Sequence, residues 1–164
     1  MKTSSNIRGR ALPLGDNVST DVLHPPEFFS LDPDTVKRGV LAKYDPSVAA
    51  WIRPGDILIA GRNFGCGSSR EAVVRCLVLC GIGTIVAHSF ARIFFRTCIN
   101  LGIVCLTLRD HVAFVPALER GEMLTIELEN WSLSRQHGIT HALEPLPVFV
   151  QALWRQGGIL QRLA

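Results

Sequence analysis

The 164-residue sequence lacks several features that mark particular classes of protein. It has no apolar run close to the about 20 residues that cross a bilayer. Its basic first segment, residues 1–10, is not followed by the apolar core of a signal peptide. Basic residues recur singly and the net charge is only +3, which argues against binding to nucleic acid. We therefore expect a cytoplasmic protein that binds neither nucleic acid nor a membrane.

The sequence also lacks a disulfide framework and a metal-binding cysteine motif. Its five cysteines are an odd number, and no two of them form a Cys-x-x-Cys pair. Cys76 and Cys80 stand one helical turn apart, but no further cysteine or histidine nearby would complete a metal site. Four of the five lie in apolar stretches, where a thiol packs as a small hydrophobic group. We expect this chain to bind no metal or cofactor by itself.

The sequence does contain short apolar strands that alternate with helices. Its 48% hydrophobic and 19% charged residues are typical of a globular domain. Strands are predicted at residues 7–14, 57–60, 84–87, 103–108 and 123–128. Helices are predicted at residues 32–44, 72–80, 89–102, 115–120 and 146–163, and a further short helix is predicted to start at residue 45. This order favours a mostly parallel central sheet with crossover helices, together with a smaller second sheet. The prediction is one α/β domain spanning residues 1–164.

The segment that carries most chemistry is Gly61–Glu71, with the sequence Gly-Arg-Asn-Phe-Gly-Cys-Gly-Ser-Ser-Arg-Glu. Its glycines permit tight turns and a close approach by a ligand. The hydroxyls of Ser68 and Ser69 and the guanidinium of Arg70 come at the predicted start of a helix. Free N–H groups and the helix dipole favour an anion there. Because a guanidinium can hold a carboxylate with two parallel hydrogen bonds, the segment indicates a site for a small acid.

Other interpretations of this loop stay open on the residues alone. Ser68 or Ser69 could simply cap the helix, with Glu71 completing the cap. A dinucleotide fingerprint fits less well, because Arg70 replaces its third glycine and no acidic residue ends the next strand. A P-loop would need a lysine that is absent. Cys66 could be a nucleophile at a helix start, although no histidine lies near it in sequence.

Three motifs together resemble the small subunit of 3-isopropylmalate dehydratase and its relatives in the aconitase family. They are GDNVSTDVLHP at residues 15–25, the segment Gly61–Glu71, and HSFARIFFRTCINLG at residues 88–102. The resemblance implies a three-layer β/β/α swivelling domain. It also implies a hydro-lyase that isomerises isopropylmalate by dehydration and rehydration in leucine biosynthesis. In that family a large partner subunit carries a [4Fe–4S] cluster.

The resemblance further implies roles for individual residues. Ser68 matches the catalytic base of the family, which removes a proton from the substrate carbon and returns one on rehydration. Ser69 and Arg70 match positions that bind a substrate carboxylate. Asp21 matches an active-site aspartate, with Thr20 beside it. By itself Asp21 would be interpreted as an ordinary turn residue.

Two departures from the family pattern concern the substrate. Ala72 stands where His or Gln commonly follows Ser-Arg-Glu, and Glu27–Leu31 replaces a loop that usually contains Tyr-Leu. Since that loop tunes substrate choice in the family, it supplies four candidate specificity residues: His24, Phe28, Phe29 and Leu31. Residues 22–31 contain no lysine or arginine to meet a third carboxylate. This predicts isopropylmalate or a methyl-substituted malate as substrate, in preference to homocitrate or citrate.

The expected partners are a large iron–sulfur subunit, in a heterodimer or heterotetramer, and a small hydroxy-dicarboxylic acid. One alternative is the small subunit of a methylmalate, dimethylmalate or homoaconitate dehydratase. Another is a non-catalytic anion-binding module of the same fold. The presence of both Ser68 and Arg70 favours an enzyme over such a module.

Overall fold

The computed structural model describes residues 6–68, 70–109, 114–136 and 138–158. The strands in these ranges are β1 (Asn6–Pro13), β2 (Ile57–Ala60), β3 (Thr84–Ala87), β4 (Val104–Thr107), β5 (Met123–Glu127), β6 (Ser132–Arg135) and β7 (Thr140–Ala142). The α-helices are α1 (Thr20–Leu23), α2 (Pro33–Arg38), α3 (Val48–Trp51), α4 (Glu71–Leu79), α5 (Arg92–Asn100) and α6 (Val148–Arg155). Short 3-10 turns occupy Pro26–Phe28 and Val115–Ala117.

The strands form one curled sheet in the order β4-β3-β2-β1-β5-β6-β7. The strands β1 to β4 pair in parallel, whereas β5, β6 and β7 extend the other edge of β1 as an antiparallel meander. Beyond the outer strands, Leu108 bridges to Leu143, and the N–H of Glu144 donates to the carbonyl of Thr107 at 2.8 Å. The predicted α/β fold with a mostly parallel core is therefore confirmed, and β1 belongs to both parts of the curled sheet.

Two hydrophobic cores lie on the two faces of the parallel strands. Successive strand residues point to opposite faces, so Leu58 packs in one core and Ile57 and Ile59 pack in the other. The first core includes the apolar faces of α2, α4 and α5, and the second lies between the parallel strands and the antiparallel meander. Every residue of β2 and β3 is buried, as expected for parallel strands that are covered on both faces.

Helix lengths depart from the sequence prediction where the backbone turns left-handed. Helix α4 has nearly the predicted bounds, and Gly81 follows its end with φ of 77°. Helix α2 is much shorter than the predicted 32–44, because Leu41 adopts φ of 53° and interrupts the helical run. Helix α6 is followed by Gly157 and Gly158, both with positive φ. That helix therefore ends at Arg155, short of the predicted 163, and the part of the prediction beyond residue 158 lies outside the described residues.

The cysteines are placed as their sequence context suggests. Cys66 is partly exposed, and the other four are buried. Burial raises the pKa of the Cys105 thiol well above its usual range, so this side chain stays protonated and packs as an apolar group. The buried cysteines therefore contribute to the core in the same way as small hydrophobic residues.

A buried carboxylate ties β1 to the turn that precedes β2. Asp56 is only 2% exposed and accepts hydrogen bonds from Nε and Nη2 of Arg10, both at 2.8 Å. It also accepts a bond of 2.8 Å from the N–H of Arg53. The Arg10 guanidinium lies 4.3 Å from the ring centroid of Trp51. Its hydrogen bonds to Asp56 raise the pKa of Arg10 above its usual value, so the guanidinium stays charged.

We expect Asp56→Asn to destabilise the fold, because the amide keeps the shape but removes the charge that Arg10 faces. The melting temperature should fall by about 5 °C, as expected when one partner of a charged hydrogen-bond pair is removed. A matched control is Asp45→Asn, which removes the partially exposed ion pair of 2.8 Å with Arg120. It should change the melting temperature much less. Thermal unfolding of both variants at pH 7 tests this, and equal shifts would contradict it.

Candidate functional site

The glycine-rich loop, residues 61–70, leaves the carboxyl end of β2, at the edge where the neighbouring parallel strands also end. On one side it pairs with the segment that follows β1. The N–H of Thr20 donates to the carbonyl of Cys66 at 2.8 Å, and the N–H of Gly65 donates to the carbonyl of Val18 at 2.9 Å. The parallel pairing of β1 and β2 thus continues beyond the sheet, and it places Thr20 and its neighbours beside the loop.

On its other side the loop pairs with the segment that follows β3. The N–H of Phe64 donates to the carbonyl of Ser89 at 3.0 Å, and the N–H of Ala91 donates to the carbonyl of Phe64 at 2.9 Å. The Phe64 ring is fully buried and meets Phe94 edge to face, with centroids 5.5 Å apart. The middle of the loop is therefore anchored in the core, while its end is left at the surface.

Two glycines of the loop are required by its geometry. Gly65 and Gly67 have φ of 78° and 92°, a region that strains other residues. A Cβ atom at Gly65 would also clash with the ring of Phe94, and one at Gly67 would lie 3.3 Å from Oγ1 of Thr20. The loop can therefore pass between the core and the segment after β1 only with glycine at these positions.

Ser68 lies at the exposed end of the loop. Its carbonyl accepts a hydrogen bond of 3.0 Å from Oγ1 of Thr20, whose side chain is fully buried. Within the described ranges, no residue binds the Ser68 hydroxyl. Arg70 is the N-cap of α4 and its side chain makes no capping hydrogen bond, and within the described ranges no N–H of α4 bonds the Ser68 hydroxyl, so Ser68 does not act as a cap. Ser69 lies outside the described residues, and its role stays a prediction.

Arg70, two residues after this serine, and Asp21, next to Thr20, are both exposed. Arg70 makes no ion pair with any residue that the structure describes, and its guanidinium carbon lies 5.4 Å from the ring centroid of Phe29. Asp21 is in the first turn of α1, directly after Thr20. The structure thus brings a hydroxyl, a guanidinium and a carboxylate to one exposed edge, near the N–H groups at the start of α4, which favour an anion.

The four candidate specificity residues lie at different depths. His24 is 1% exposed, and its Nε2 hydrogen-bonds the carbonyl of Val36 at 3.1 Å. Burial lowers the pKa of His24, so the ring is neutral at pH 7 and is no cation for a substrate. Phe28 and Phe29 are half-buried, whereas Leu31 is fully exposed. Of these four residues, Leu31 is therefore the most accessible to a ligand or partner.

A pocket of about 410 Å³ lies between the segment of residues 24–36, which contains the candidate specificity residues, and α4. It is lined by residues from both sides: His24, Phe29, Ser30, Leu31, Pro33, Val36, Glu71, Ala72, Arg75 and Leu79. The small Ala72 side chain leaves room in it that His or Gln would fill. Arg75 was not expected here from the sequence. Its spacing of four residues from Glu71 on a helix was the only signal that the two side chains share this face.

Neither a group of potential metal ligands nor a membrane-spanning helix is found among the described residues. In the part of the chain that the structure describes, no three His, Cys, Asp or Glu side chains are grouped to hold a metal ion. An iron–sulfur cluster needs several cysteine ligands together, whereas four of the five cysteines are buried and only Cys66 is partly exposed. None of the described helices has both the length and the apolar character needed to span a bilayer.

Comparison with known proteins identifies the family. The model of the aconitase C-terminal domain matches residues 43–111. The chain is 34% identical over 159 residues to a protein of Halothermothrix orenii named 3-isopropylmalate dehydratase small subunit, covering 96% of this chain and 94% of that protein. It is 38% identical over 160 residues to 3-isopropylmalate dehydratase small subunit 1 of Thermotoga maritima, with the same coverage of both chains.

A solved structure agrees in fold as well as in sequence. The crystal structure of 3-isopropylmalate dehydratase from Methanocaldococcus jannaschii matches with a TM-score of 0.87 and 31% identity, covering 96% of this chain and 93% of that one. Identity above 30% extends over nearly the whole chain in each of these comparisons. The chain therefore belongs to the family of 3-isopropylmalate dehydratase small subunits, which resemble the C-terminal domain of aconitase.

Proposed function

We propose that this chain is the small subunit of a heteromeric hydro-lyase that interconverts 2-isopropylmalate and 3-isopropylmalate in leucine biosynthesis. The observation that carries the proposal is the exposed end of the glycine-rich loop. There the Ser68 hydroxyl and the Arg70 guanidinium, both without a hydrogen-bond or ion-pair partner among the described residues, precede the start of α4. The names of the relatives supply the substrate.

In this proposal Ser68 is the general base. It removes a proton from the substrate carbon during dehydration and returns a proton to carbon during rehydration. A serine hydroxyl is a poor base unless its alkoxide is stabilised. The N–H groups at the start of α4 and the nearby Arg70 guanidinium provide that stabilisation. Thr20 supports this role by holding the carbonyl of Ser68 through its own buried hydroxyl.

Arg70 is the proposed carboxylate clamp. Its planar guanidinium can donate two parallel hydrogen bonds to one carboxylate. Ser69 and Asp21 complete the proposed set of substrate-binding residues on this chain. Exposed side chains at one edge form only half of an enclosed site, because a reaction of this kind needs groups on the other side of the substrate.

The other half of the site is assigned to a large iron–sulfur subunit, in a cytoplasmic heterodimer or heterotetramer. Its [4Fe–4S] cluster would act as a Lewis acid toward the departing hydroxyl group. The described cysteines of this chain are buried or isolated and do not suit such a cluster. The proposed assembly involves neither nucleic acid nor a membrane.

The nature of the loop between α1 and α2 favours a substrate with an apolar branch. Residues 22–31 carry no lysine or arginine, and Leu31 is fully exposed beside the pocket. An unpaired carboxylate is costly to bury, whereas each buried methylene is stabilising by about 0.8 kcal/mol. Arg75 is the cation that could still meet a third carboxylate there, next to Glu71. Methylmalate and dimethylmalate fit the same apolar surroundings and remain the alternative substrates.

We predict that the isolated chain is colourless and inactive. Its cysteines are not arranged as cluster ligands, so treatment with iron and sulfide under reducing conditions should give no stoichiometric absorbance in the visible range. The absorbance spectrum after desalting measures this, with a protein of known cluster content treated in parallel. A cluster on the chain alone would contradict the proposed division between two subunits.

We predict different kinetic effects for the two central residues in the complex with the large subunit. Ser68→Ala should lower kcat by at least about 100-fold with little change in substrate affinity, because a base acts on the proton in the transition state. Arg70→Lys should raise KM as well, because an ammonium group cannot form the planar two-bond contact.

The controls for these variants make the same chemical changes elsewhere in the fold. These controls are Ser134→Ala in β6, where the serine is half-buried, and Arg38→Lys at the end of α2, where the arginine is exposed. They should leave kcat and KM unchanged. Near-normal turnover of Ser68→Ala would mean that another residue is the base.

We predict a higher kcat/KM for isopropylmalate or a methyl-substituted malate than for citrate or homocitrate. The reason is the absence of a cation in residues 22–31. Steady-state kinetics of the reconstituted complex on all four acids tests it. A preference for either tricarboxylic acid would contradict the prediction, and the variant Arg75→Gln would then show whether this arginine meets the extra carboxylate.

A further inference from the structure

The guanidinium of Arg70 has a contact that the proposed mechanism does not explain. Arg70 has an extended backbone, with φ of −113° and ψ of 137°, and its long side chain is exposed. It forms no hydrogen bond or ion pair with any residue in the described ranges. A free arginine side chain samples many rotamers, and fixing it on binding weakens the affinity for a ligand. A clamp of this kind binds more tightly if it is held in place before the substrate arrives.

Phe29 provides a surface that can hold this side chain. The guanidinium carbon of Arg70 lies 5.4 Å from the centroid of the Phe29 ring, within the distance at which a cation is attracted to an aromatic face. Phe29 is half-buried and packs against the core that also includes α4. The contact joins residues 41 positions apart (Phe29 and Arg70) that belong to separate segments of the site.

The ring of Phe29 is in turn fixed by His24. The two rings are stacked, with centroids 5.2 Å apart and planes inclined by 19°. His24 is 1% exposed and is tethered through Nε2 to the carbonyl of Val36 at 3.1 Å. A Cβ atom at Gly39 would lie 2.6 Å from Cδ2 of the imidazole, so this ring is tightly enclosed. The neutral His24 ring adds no charge repulsion toward Arg70.

We infer that Phe29 is a positioning residue for Arg70 and that the buried His24 ring supports it. Both residues would therefore affect substrate binding through the orientation of the carboxylate clamp and without contact with the substrate branch. The inference rests on the proposed function of Arg70. It assigns Phe29 a role distinct from that of its neighbour Phe28, which has no ring contact with the arginine in the structure.

The kinetic test compares Phe29→Leu, Phe29→Tyr and the control Phe149→Leu, an exposed phenylalanine of α6 that does not line the pocket, in the complex with the large subunit, using 3-isopropylmalate. Phe29→Leu should raise KM about threefold to tenfold, the effect of losing a cation–π contact, with kcat within about twofold. Phe29→Tyr keeps an aromatic face and should have the KM of the unsubstituted protein. Phe149→Leu should leave KM unchanged. A fall in kcat with normal KM, or no rescue by tyrosine, would overturn the inference.

A double-mutant cycle separates positioning from a general change in the loop. In the Arg70→Gln background, Phe29→Leu should have no further effect on KM, because residues that act through one another are not additive. An equal rise in both backgrounds would overturn the inference and indicate direct contact with the substrate. If Arg70→Gln alone leaves KM normal, Arg70 does not bind the substrate carboxylate and the proposed function of this residue is wrong. The contact between Phe29 and Arg70 is then tested separately by nuclear magnetic resonance.

Nuclear magnetic resonance of the full chain alone tests the geometry without activity. The δ-protons of Arg70, assigned by their loss in Arg70→Gln, should be shifted upfield by the ring current of Phe29. The shift should disappear in Phe29→Leu, decrease in His24→Leu and persist in Phe28→Leu. Unchanged Arg70 resonances in Phe29→Leu would overturn the inference, whatever the role of Arg70 in catalysis.

Discussion

The site depends on backbone hydrogen bonds that continue the parallel sheet beyond its strands. The segments after β1, β2 and β3 stay paired. The backbone of Thr20 is hydrogen-bonded to that of Cys66, and the backbone of Phe64 is hydrogen-bonded to those of Ser89 and Ala91. Since parallel strands end at the same edge, three distant parts of the sequence converge there. If the glycine-rich loop lost this pairing, the hydroxyl of Ser68 would no longer have a defined position relative to its neighbours.

Burial divides the residues of the site into two groups with different tasks. Thr20, Phe64 and His24 are buried and bond or pack against the backbone and rings that form the site. Ser68 and Arg70 are exposed and have no ion-pair or hydrogen-bond partner for their side chains in the described structure. The hydroxyl of Thr20 and Nε2 of His24 each have a hydrogen-bond partner, which offsets the cost of burying them, whereas Nδ1 of His24 has none among the described residues. The exposed group is left available for a substrate and for a second protein surface.

Much of the fold could be predicted from local patterns. The buried strands β2 and β3 are continuous apolar runs, and the end of α4 is marked by Gly81, which has the positive φ expected after a helix. The strands β6 and β7 escaped prediction because they are short and mostly polar, and they pair as successive hairpins, β6 with β5 and β7 with β6, without the apolar alternation that marks a strand. Helix α1 is a single turn within a segment rich in turn formers, so its sequence resembles a loop.

The sequence by itself determined the chemistry of the candidate site and the family. Ser68, Arg70 and the glycines around them are adjacent in the chain, and a local motif is sufficient to recognise them. The tertiary structure alone decided which of the neighbouring residues are accessible. His24 is enclosed because it bonds Val36 and lies against Gly39, and Arg75 reaches the pocket because α2 packs against α4. Such contacts join residues that no periodicity relates, so their geometry is set by the packing of whole elements.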